Sequence, residues 1–476
     1  MREIPKKVLD KFGELKESFD FYIQLKYING YYYVYRATSE WNSEEKKVKK
    51  ITKYLGRITY DGEYLEKEST KRTAQSSKEI YEYGNVALAH HLIGDAEEIL
   101  RKIAPYPQDL IAMAILKAID PMPLRMLSSQ WSKMYLSKTM NAHLSPNHIS
   151  SVLRVIGSNV SSWYELFSLL TPKDDLLLYD LTAIMTYSEN IKMAEKGYNS
   201  NHSYLDQIGV VMAFSNTESL PIGLEVFHGS MRDVKTIRDF VQRLPKKDIG
   251  FIFDRGFSSY ELLDELREDH INYIVPLKKN SVYLEVDKIE WTENFLYRDR
   301  PIRCGKLETS RGTLFCYEDP ELKGEQESTL LRNLINGKIK QEEYDLKKQK
   351  AGIIGVITDL DKKGKEIFEL WKGREEVELA FDALKNELDF DKTYLQTDEG
   401  VRGYFFVSFL ALRIYFGVLK RLRCAGLNQK ISVNEVFFEL SKVMKIVEKD
   451  KREYFAKIPK KSERILALFS DMIDMG

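Results

Sequence analysis

Leu176–Thr182 reads LLLYDLT, apolar at both parities except for Asp180. A strand covered on one side alternates apolar and polar residues. A run apolar at every position needs cover on both faces, as in a largely parallel sheet flanked by helices. Ile249–Asp254, IGFIFD, repeats the pattern and ends on Asp254 before the turn residues Arg255 and Gly256. A carboxylate in such a run costs on the order of several kcal/mol if it stays ionised without a partner, or it shifts its pKa until it is neutral. Asp180 therefore needs a cation, a hydrogen-bond network or a metal. Asp254 also fits a plain strand-ending turn.

Between the two acids lie two further strand candidates, Gln207–Ser215 (QIGVVMAFS) and Pro221–His228 (PIGLEVFH), and then an amphipathic helix at Arg232–Leu244. In the order strand, strand, strand, helix, strand, a right-handed crossover lays the fourth strand parallel to the first. Asp180 and Asp254 then sit side by side. Two like charges at that separation repel unless a divalent cation lies between them. A helix at Ser259–Asp269 and a strand at Ile271–Leu277 follow, and Ala351–Leu360 (AGIIGVITDL) resumes the buried-strand pattern.

A third acid stands on Trp371–Lys385, WKGREEVELAFDALK, read as a single helix. At about 100° per residue, Trp371, Arg374, Glu378 and Lys385 share one narrow stripe beside the apolar Val377, Ala380, Phe381 and Leu384. Ordinary surface ion pairs produce the same stripe. The two upstream acids are what set it apart. Glu375 and Asp382 share the stripe.

The rest of the composition bounds the answer. The chain has 476 residues, 43% hydrophobic and 30% charged, which predicts more than one soluble domain. Lys+Arg and Asp+Glu both number 72, so a polyanion surface has to be local rather than global. Three cysteines, Cys304, Cys316 and Cys424, suit a reducing compartment and provide no disulfide framework and no zinc site. Residues 1–16 have no signal-peptide core, and Tyr404–Leu419, interrupted by Arg413, reads as a buried helix rather than a membrane span. His202, His228 and His270 lie near strands and read as structural.

Phe19–Leu55 alternates aromatic and polar residues around Asn29-Gly30, a hairpin signal, and then carries Lys46, Lys47, Lys49, Lys50 and Lys53. Lysines interleaved with tyrosines suit a phosphate-contacting module, although Glu44 and Glu45 dilute the patch. From Ser76 to Leu170 the pattern is helical. Leu144–Leu170, with a capped start at Ser145-Pro146 and a break at Gly157, has the outline of a helix-turn-helix, as do many packed helix pairs. Lys278–Lys350 reads as an insertion folded outside the central sheet: short β-like pieces, then a charged helix over Glu325–Lys350. Its Lys338, Lys340, Lys347, Lys348 and Lys350 suit either a DNA channel or a solvated face.

The motifs together resemble the DDE transposases of bacterial insertion sequences, in the group with a β-rich insertion before the last acid and a Tyr, Arg, Glu, Lys signature. Trp371, Arg374, Glu378 and Lys385 match its spacing of two, three and six intervening residues, with Trp in the tyrosine place. Glu375 and Asp382 are decoys; the spacing of the motif picks Glu378 over them. An indole packs and stacks but donates only through nitrogen. YDLTA at the first acid, DRGF at Asp254–Phe257, PIGLEVFHGSMRDVKT between them and RGYFFVSFLALRIY after the third extend the likeness over about residues 175–420.

The resemblance implies an α/β fold: a ribonuclease-H-like mixed sheet flanked by helices, with a β-rich insertion and a mainly helical N-terminal DNA-binding region. The corresponding segments are an N-terminal hairpin and basic module (1–72), a helical DNA-binding region (73–171), a catalytic core in two parts (172–277 and 351–425), the insertion (278–350) and a C-terminal helical region (426–476). It implies that Asp180, Asp254 and Glu378 hold two Mg2+ ions, replaceable by Mn2+, and that Arg374 and Lys385 bind DNA phosphate. Trp291 and Trp371 are candidate platforms for a base drawn out of the duplex. The expected partners are double-stranded DNA, both terminal inverted repeats and target, and a second copy of the chain in the synaptic complex. The expected setting is the prokaryotic cytoplasm, at the nucleoid. Two other readings stay open on the residues: a two-metal nuclease of the same fold without strand transfer, and an inactive DNA-binding descendant.

Overall fold

The computed structural model describes residues 4–42, 47–67, 78–94, 96–186, 188, 190–196, 206–230, 233–244, 249–387 and 395–475. Two compact units form, one from Met1–Lys78 with Glu448–Asp450 and one from Glu79–Val447 with Lys451–Gly476. Glu44, Glu45, Lys46, Ser76, His202 and Arg232, singled out above, lie outside the described residues.

In the first unit α1 (Lys6–Ser18) covers one face of an antiparallel sheet ordered β1 (Ile23–Ile28), β2 (Tyr31–Asn42), β3 (Lys47–Ile58) and β4 (Tyr64–Glu66). Val8 and Leu15 of the helix pack on Ile23, Tyr32, Val34 and Ile58. The hairpin turns on Asn29 and Gly30, with φ of 49° and 89°, the pair of left-handed residues that a two-residue type I′ turn requires.

The second unit opens with β5 (Glu79–Glu82) and six helices, α2 (Gly84–Ile93), α3 (Ala96–Ile103), α4 (Pro107–Ile119), α5 (Leu127–Trp131), α6 (Pro146–Ser158) and α7 (Val160–Leu170). The expected glycine break does not occur at Gly157, which lies inside α6; Asn159 separates the helices. α7 carries no lysine or arginine and buries Trp163, Tyr164, Leu166 and Phe167, so it is a packing helix in shape and composition.

The central sheet follows: β6 (Leu176–Met185), β7 (Gln207–Ser215), β8 (Leu220–His228), α8 (Asp233–Arg243), β9 (Gly250–Phe253), α9 (Tyr260–Glu268) and β10 (Asn272–Pro276). β6, β7 and β8 form an antiparallel meander, and β9 returns parallel to β6 on its other side, as the crossover argument requires. Then come β11 (Glu290–Tyr297), β12 (Arg300–Thr309), β13 (Gly312–Glu318), α10 (Pro320–Ile335), α11 (Gln341–Gln349), β14 (Ile353–Thr358), α12 (Gly364–Lys372), α13 (Glu375–Asp382) and α14 (Asp398–Cys424). The nine strands form one mixed sheet in the order β11-β12-β13-β14-β10-β9-β6-β7-β8.

That order corrects the expectation for residues 278–350. The insertion's strands do not stand outside the sheet; β14 pairs with both β10 and β13 and joins them to it. Its charged segment is two helices, α10 and α11, parted at Gly337, whose φ of 68° ends the first. Cys304 and Cys316 fall on neighbouring strands but one register step apart; both thiols are free, and burial pushes each up to about 12. The segment 426–476 is mixed rather than helical: α15 (Val433–Leu440), β15 (Met444–Val447), β16 (Glu453–Phe455) and α16 (Lys460–Leu468), with β15 paired to β5 and β16.

Both faces of the β6–β9 region are covered. Tyr179 on β6 meets Phe240 of α8 at 5.5 Å, and on the other face Phe214 of β7 meets Phe416 of α14 at 5.1 Å. The run Tyr404–Leu419 is the middle of α14, and among the described residues no helix is long and apolar enough to cross a membrane. Against α6 this helix packs backbone to backbone. A Cβ at Gly157 would lie 1.8 Å from the Glu399 carbonyl oxygen, and one at Gly403 would lie 2.0 Å from that of Leu153. Gly157→Ala is therefore expected to force the helices apart and to lower stability by about 1–3 kcal/mol, read as an earlier denaturant midpoint. An unchanged midpoint would show that the crossing yields without cost.

Candidate active site

The parallel pairing of β6 and β9 sets Tyr179 opposite Phe253. One step further along each strand are Asp180 and Asp254, on the face opposite those aromatic rings, since side chains alternate. Asp254 keeps an extended backbone, φ −80° and ψ 166°, before the turn at Arg255–Phe257. It prolongs the strand and delivers its carboxylate beside Asp180.

Glu378 comes from α13, which crosses the same face. The helix expected over Trp371–Lys385 is broken into three pieces. α12 ends at Lys372; Gly373 and Arg374 form a tight turn in which Arg374 N–H donates to Trp371 O at 3.2 Å; and α13 passes at Ala383–Glu387 into a π-helical turn. The stripe deduced for one regular helix is thus made by a kink and a wider turn. π-helical turns of this kind recur at functional sites.

Arg374 ties the acids together. Its Nη1 lies 3.2 Å from Asp254 Oδ1 and its Nη2 lies 2.7 Å from Glu378 Oε1. Asp180 feels all three groups, the Arg374 cation stabilising its charge and the Asp254 and Glu378 charges opposing it. Burial is the largest influence, and the Asp180 carboxyl is pushed up to about 7. Its one hydrogen bond among the described residues comes from the Leu181 N–H, at 2.9 Å.

Asp175, at the other end of the strand, shows how a structural acid is satisfied. It accepts from the Ser215 hydroxyl, from Thr217 Oγ1 at 2.7 Å and N at 3.1 Å, and from Leu176 N at 2.9 Å. Asp180 has no such set and faces two other acids instead.

Lys385 reaches the same face from the π-helical turn, its Nζ donating to Thr182 Oγ1 at 2.7 Å. Thr182 lies two residues beyond Asp180 on the same side of β6. It was not singled out from the sequence, although its period-two relation to Asp180 marks it.

The structure therefore brings Asp180, Asp254, Glu378 and Arg374 together, with Lys385 beside them. Glu375 and Asp382 are not in the cluster: Glu375 pairs with Arg298 at 3.0 Å, and Asp382 accepts from Asn386. Trp371 packs on Phe368 at 5.7 Å, and its buried indole N–H has no acceptor among the described residues. Trp291, on edge strand β11, is stacked by Arg303 at 4.5 Å and has no bond or ring contact to the acids among the described residues. His228 hydrogen-bonds Glu195 at 3.1 Å and His270 sits in a left-handed turn before β10, both apart from the acids.

Three carboxylates are an all-oxygen donor set of the kind hard divalent cations take. In this conformation Arg374 holds two of them, and among the described residues no three Asp, Glu, His or Cys side chains are grouped closely enough to grip an ion. Binding one there requires Asp254 and Glu378 to turn from the guanidinium toward Asp180.

The pH dependence has a definite sign. A carboxyl whose folded pKa is raised favours folding below its unfolded value, near 4, and loses that contribution as pH rises through its folded value. In metal-free buffer Asp180→Asn should gain stability relative to the parent between about pH 4 and pH 7 and hold that gain above, as measured by denaturation at a series of pH values. A difference independent of pH would contradict the burial of the charge.

No curated protein matches the chain. Among solved structures it is similar to a piggyBac transposase, determined by cryo-EM in a synaptic complex with hairpin DNA. The identity is 12% and the TM-score 0.40, over 82% of this chain and 80% of that one, a likeness too distant to bear on function. The family of the transposase DDE domain matches residues 171–414, from the end of α7 to the middle of α14, a stretch that contains all three acids. With more than half of its length matched, the chain belongs to the transposase DDE domain family.

Proposed function

We propose that the protein cuts and joins DNA at the ends of its own mobile element, using divalent metal ions held by Asp180, Asp254 and Glu378. The observation that carries the reading is the meeting of Asp254, just past the end of β9, and Glu378 of α13 around Asp180 of β6, which lacks the donors a structural acid has. Two hard cations, Mg2+ or Mn2+, would supply activation of the attacking oxygen and stabilisation of the leaving one when bound.

The chain's own residues do the rest. Strand register fixes the backbones of Asp180 and Asp254 side by side before DNA arrives, and the Asp254 carboxylate has only to leave Arg374. Glu378 lies on an element with a kink before it and a π turn after it, and its present partner is a side chain that has another use. Once released, Arg374 offers a two-pronged donor to a phosphate beside the acids, and Lys385 offers a point charge. Water cuts the strand at the element's end, the freed 3′ hydroxyl attacks the opposite strand to leave a hairpin, the hairpin is reopened, and the end attacks target DNA. Each step exchanges one oxygen for another at phosphorus. The reading includes a ribonuclease-H-like core, terminal inverted repeats as the specific DNA, a second copy of the chain in the synaptic complex, and work at the nucleoid of a prokaryotic cell. Trp371, next to Arg374, is better placed than Trp291 to receive an unstacked base.

The test combines purified protein, Mg2+, fragments bearing the element's ends and a target plasmid. Cleaved ends and joined products are expected, abolished by chelator. Glu378→Gln and Asp180→Asn should each reduce both by roughly 100-fold or more, the scale of losing one electrostatic stabiliser of a transition state. Cleavage without any joined product would instead identify a nuclease, and full activity in Glu378→Gln would remove that residue from the site.

A further inference from the structure

The first unit has a sheet with α1 on one face only. Strand alternation sends Tyr32 and Val34 into the core under α1 and Tyr31, Tyr33 and Tyr35 to the other side. Across the sheet Lys26 pairs with Tyr33 on one flank and Arg57 pairs with it on the other, and Tyr35 is opposite Tyr54. The irregularity between Val34 and Tyr35 puts Tyr54 and Arg57 on the same face.

The rings form a continuous row, with centroids 6.3 Å apart for Tyr31 and Tyr33, 5.7 Å for Tyr33 and Tyr54, and 5.6 Å for Tyr35 and Tyr54. Cations sit at its borders, Lys26 Nζ 4.9 Å from the Tyr35 ring and Arg57 Cζ 5.3 Å from the Tyr31 ring. Tyr31 is 49% exposed, and nothing in α1 covers this side. The described strand positions facing this way in β1 to β4 hold no aspartate or glutamate. A row of aromatic rings, tilted 57° to 66° to one another and bordered only by positive charge, is complementary to a polyanion that also carries flat, stackable groups.

We infer that this sheet face binds an unpaired stretch of DNA, bases against the tyrosines and phosphates against Lys26 and Arg57. A duplex keeps its bases stacked on one another and offers this face only backbone, which leaves the aromatic row without a use. Of the lysines after the hairpin, Lys53 pairs with Arg36 on the side of α1, and Lys50 pairs with Ser39 on the side of the tyrosines. The inference rests on the reading that the chain acts on DNA, but it concerns a module with its own core and is tested apart from cleavage.

The experiment is fluorescence anisotropy of the full chain with a labelled single-stranded oligonucleotide and with the same sequence as a duplex, over a range of salt. The Tyr33→Ala/Tyr54→Ala protein should bind the single strand roughly tenfold or more weakly, with duplex affinity unchanged. Tyr33→Phe/Tyr54→Phe, which keeps the rings, should bind as the parent does and so controls for folding. Lys26→Ala/Arg57→Ala should reduce the salt slope for the single strand by about 1.4, two phosphate contacts at ~0.7 each. Parent-like single-strand binding by the alanine protein, an equal loss on duplex, or a loss in the phenylalanine protein as large as in alanine would overturn the inference. Loss of end cleavage with single-strand binding intact would count against the catalytic reading alone.

Discussion

The parallel pairing of β6 with β9 is the constraint from which the rest of the site follows. It puts two carboxylates on adjacent strands, about 4.8 Å apart in any sheet, on a face closed by helices. At that separation and an effective dielectric near 20, two full charges repel by about 3 kcal/mol, a sizeable share of a domain's net stability. The fold has to neutralise one acid, supply a cation, or both. In this structure both occur: burial lifts the Asp180 carboxyl toward neutrality, and Arg374 lies against Asp254 and Glu378. A metal-holding arrangement of the same acids exchanges the internal cation for an external one.

The third acid depends on parts of the molecule distant from it in the chain. Phe368 of α12 is the hub of an aromatic cluster, 4.7 Å from Tyr317, 5.2 Å from Tyr297 and 5.5 Å from Phe295. These rings come from β11 and β13, the strands that the insertion adds to the sheet. The insertion thus anchors α12, and α12 sets where Arg374 and Glu378 enter. Behind α13, Glu376 pairs with Arg423 of α14 at 2.6 Å. Glu378 is consequently held by packing on both flanks, while its own side chain remains half exposed with a single ion-pair partner among the described residues.

Much of this was legible in the sequence, and the reasons differ from element to element. LLLYDLT and IGFIFD were readable because a run apolar at both parities has one physical use, and the crossover rule then fixed which acids become neighbours. Asn29-Gly30 was readable because few dipeptides accept two left-handed residues in succession. The insertion was misplaced because short strands look alike whether they extend a sheet or form their own, and only pairing with β10 and β13 separates the cases. Gly157 was misread because a glycine that lets two helices touch has the same letter as one that ends a helix. A single helix was expected over 371–385 because periodicity averages over a kink and a wider turn. The Arg374 bridge, and the contact of Lys385 with Thr182, depend on side-chain geometry across elements that no local pattern encodes.

With DNA bound, Asp180, Asp254 and Glu378 are expected to close on the same ions. The most direct measurement is a structure of the protein with element-end DNA and Mn2+, with the metal located by anomalous scattering. Ions bridged by the three carboxylates are expected, with Arg374 moved off Asp254 and Glu378 and onto a phosphate. Ions bound elsewhere, or held by Asp180 and Asp254 while Glu378 keeps its pairing with Arg374, would contradict that expectation.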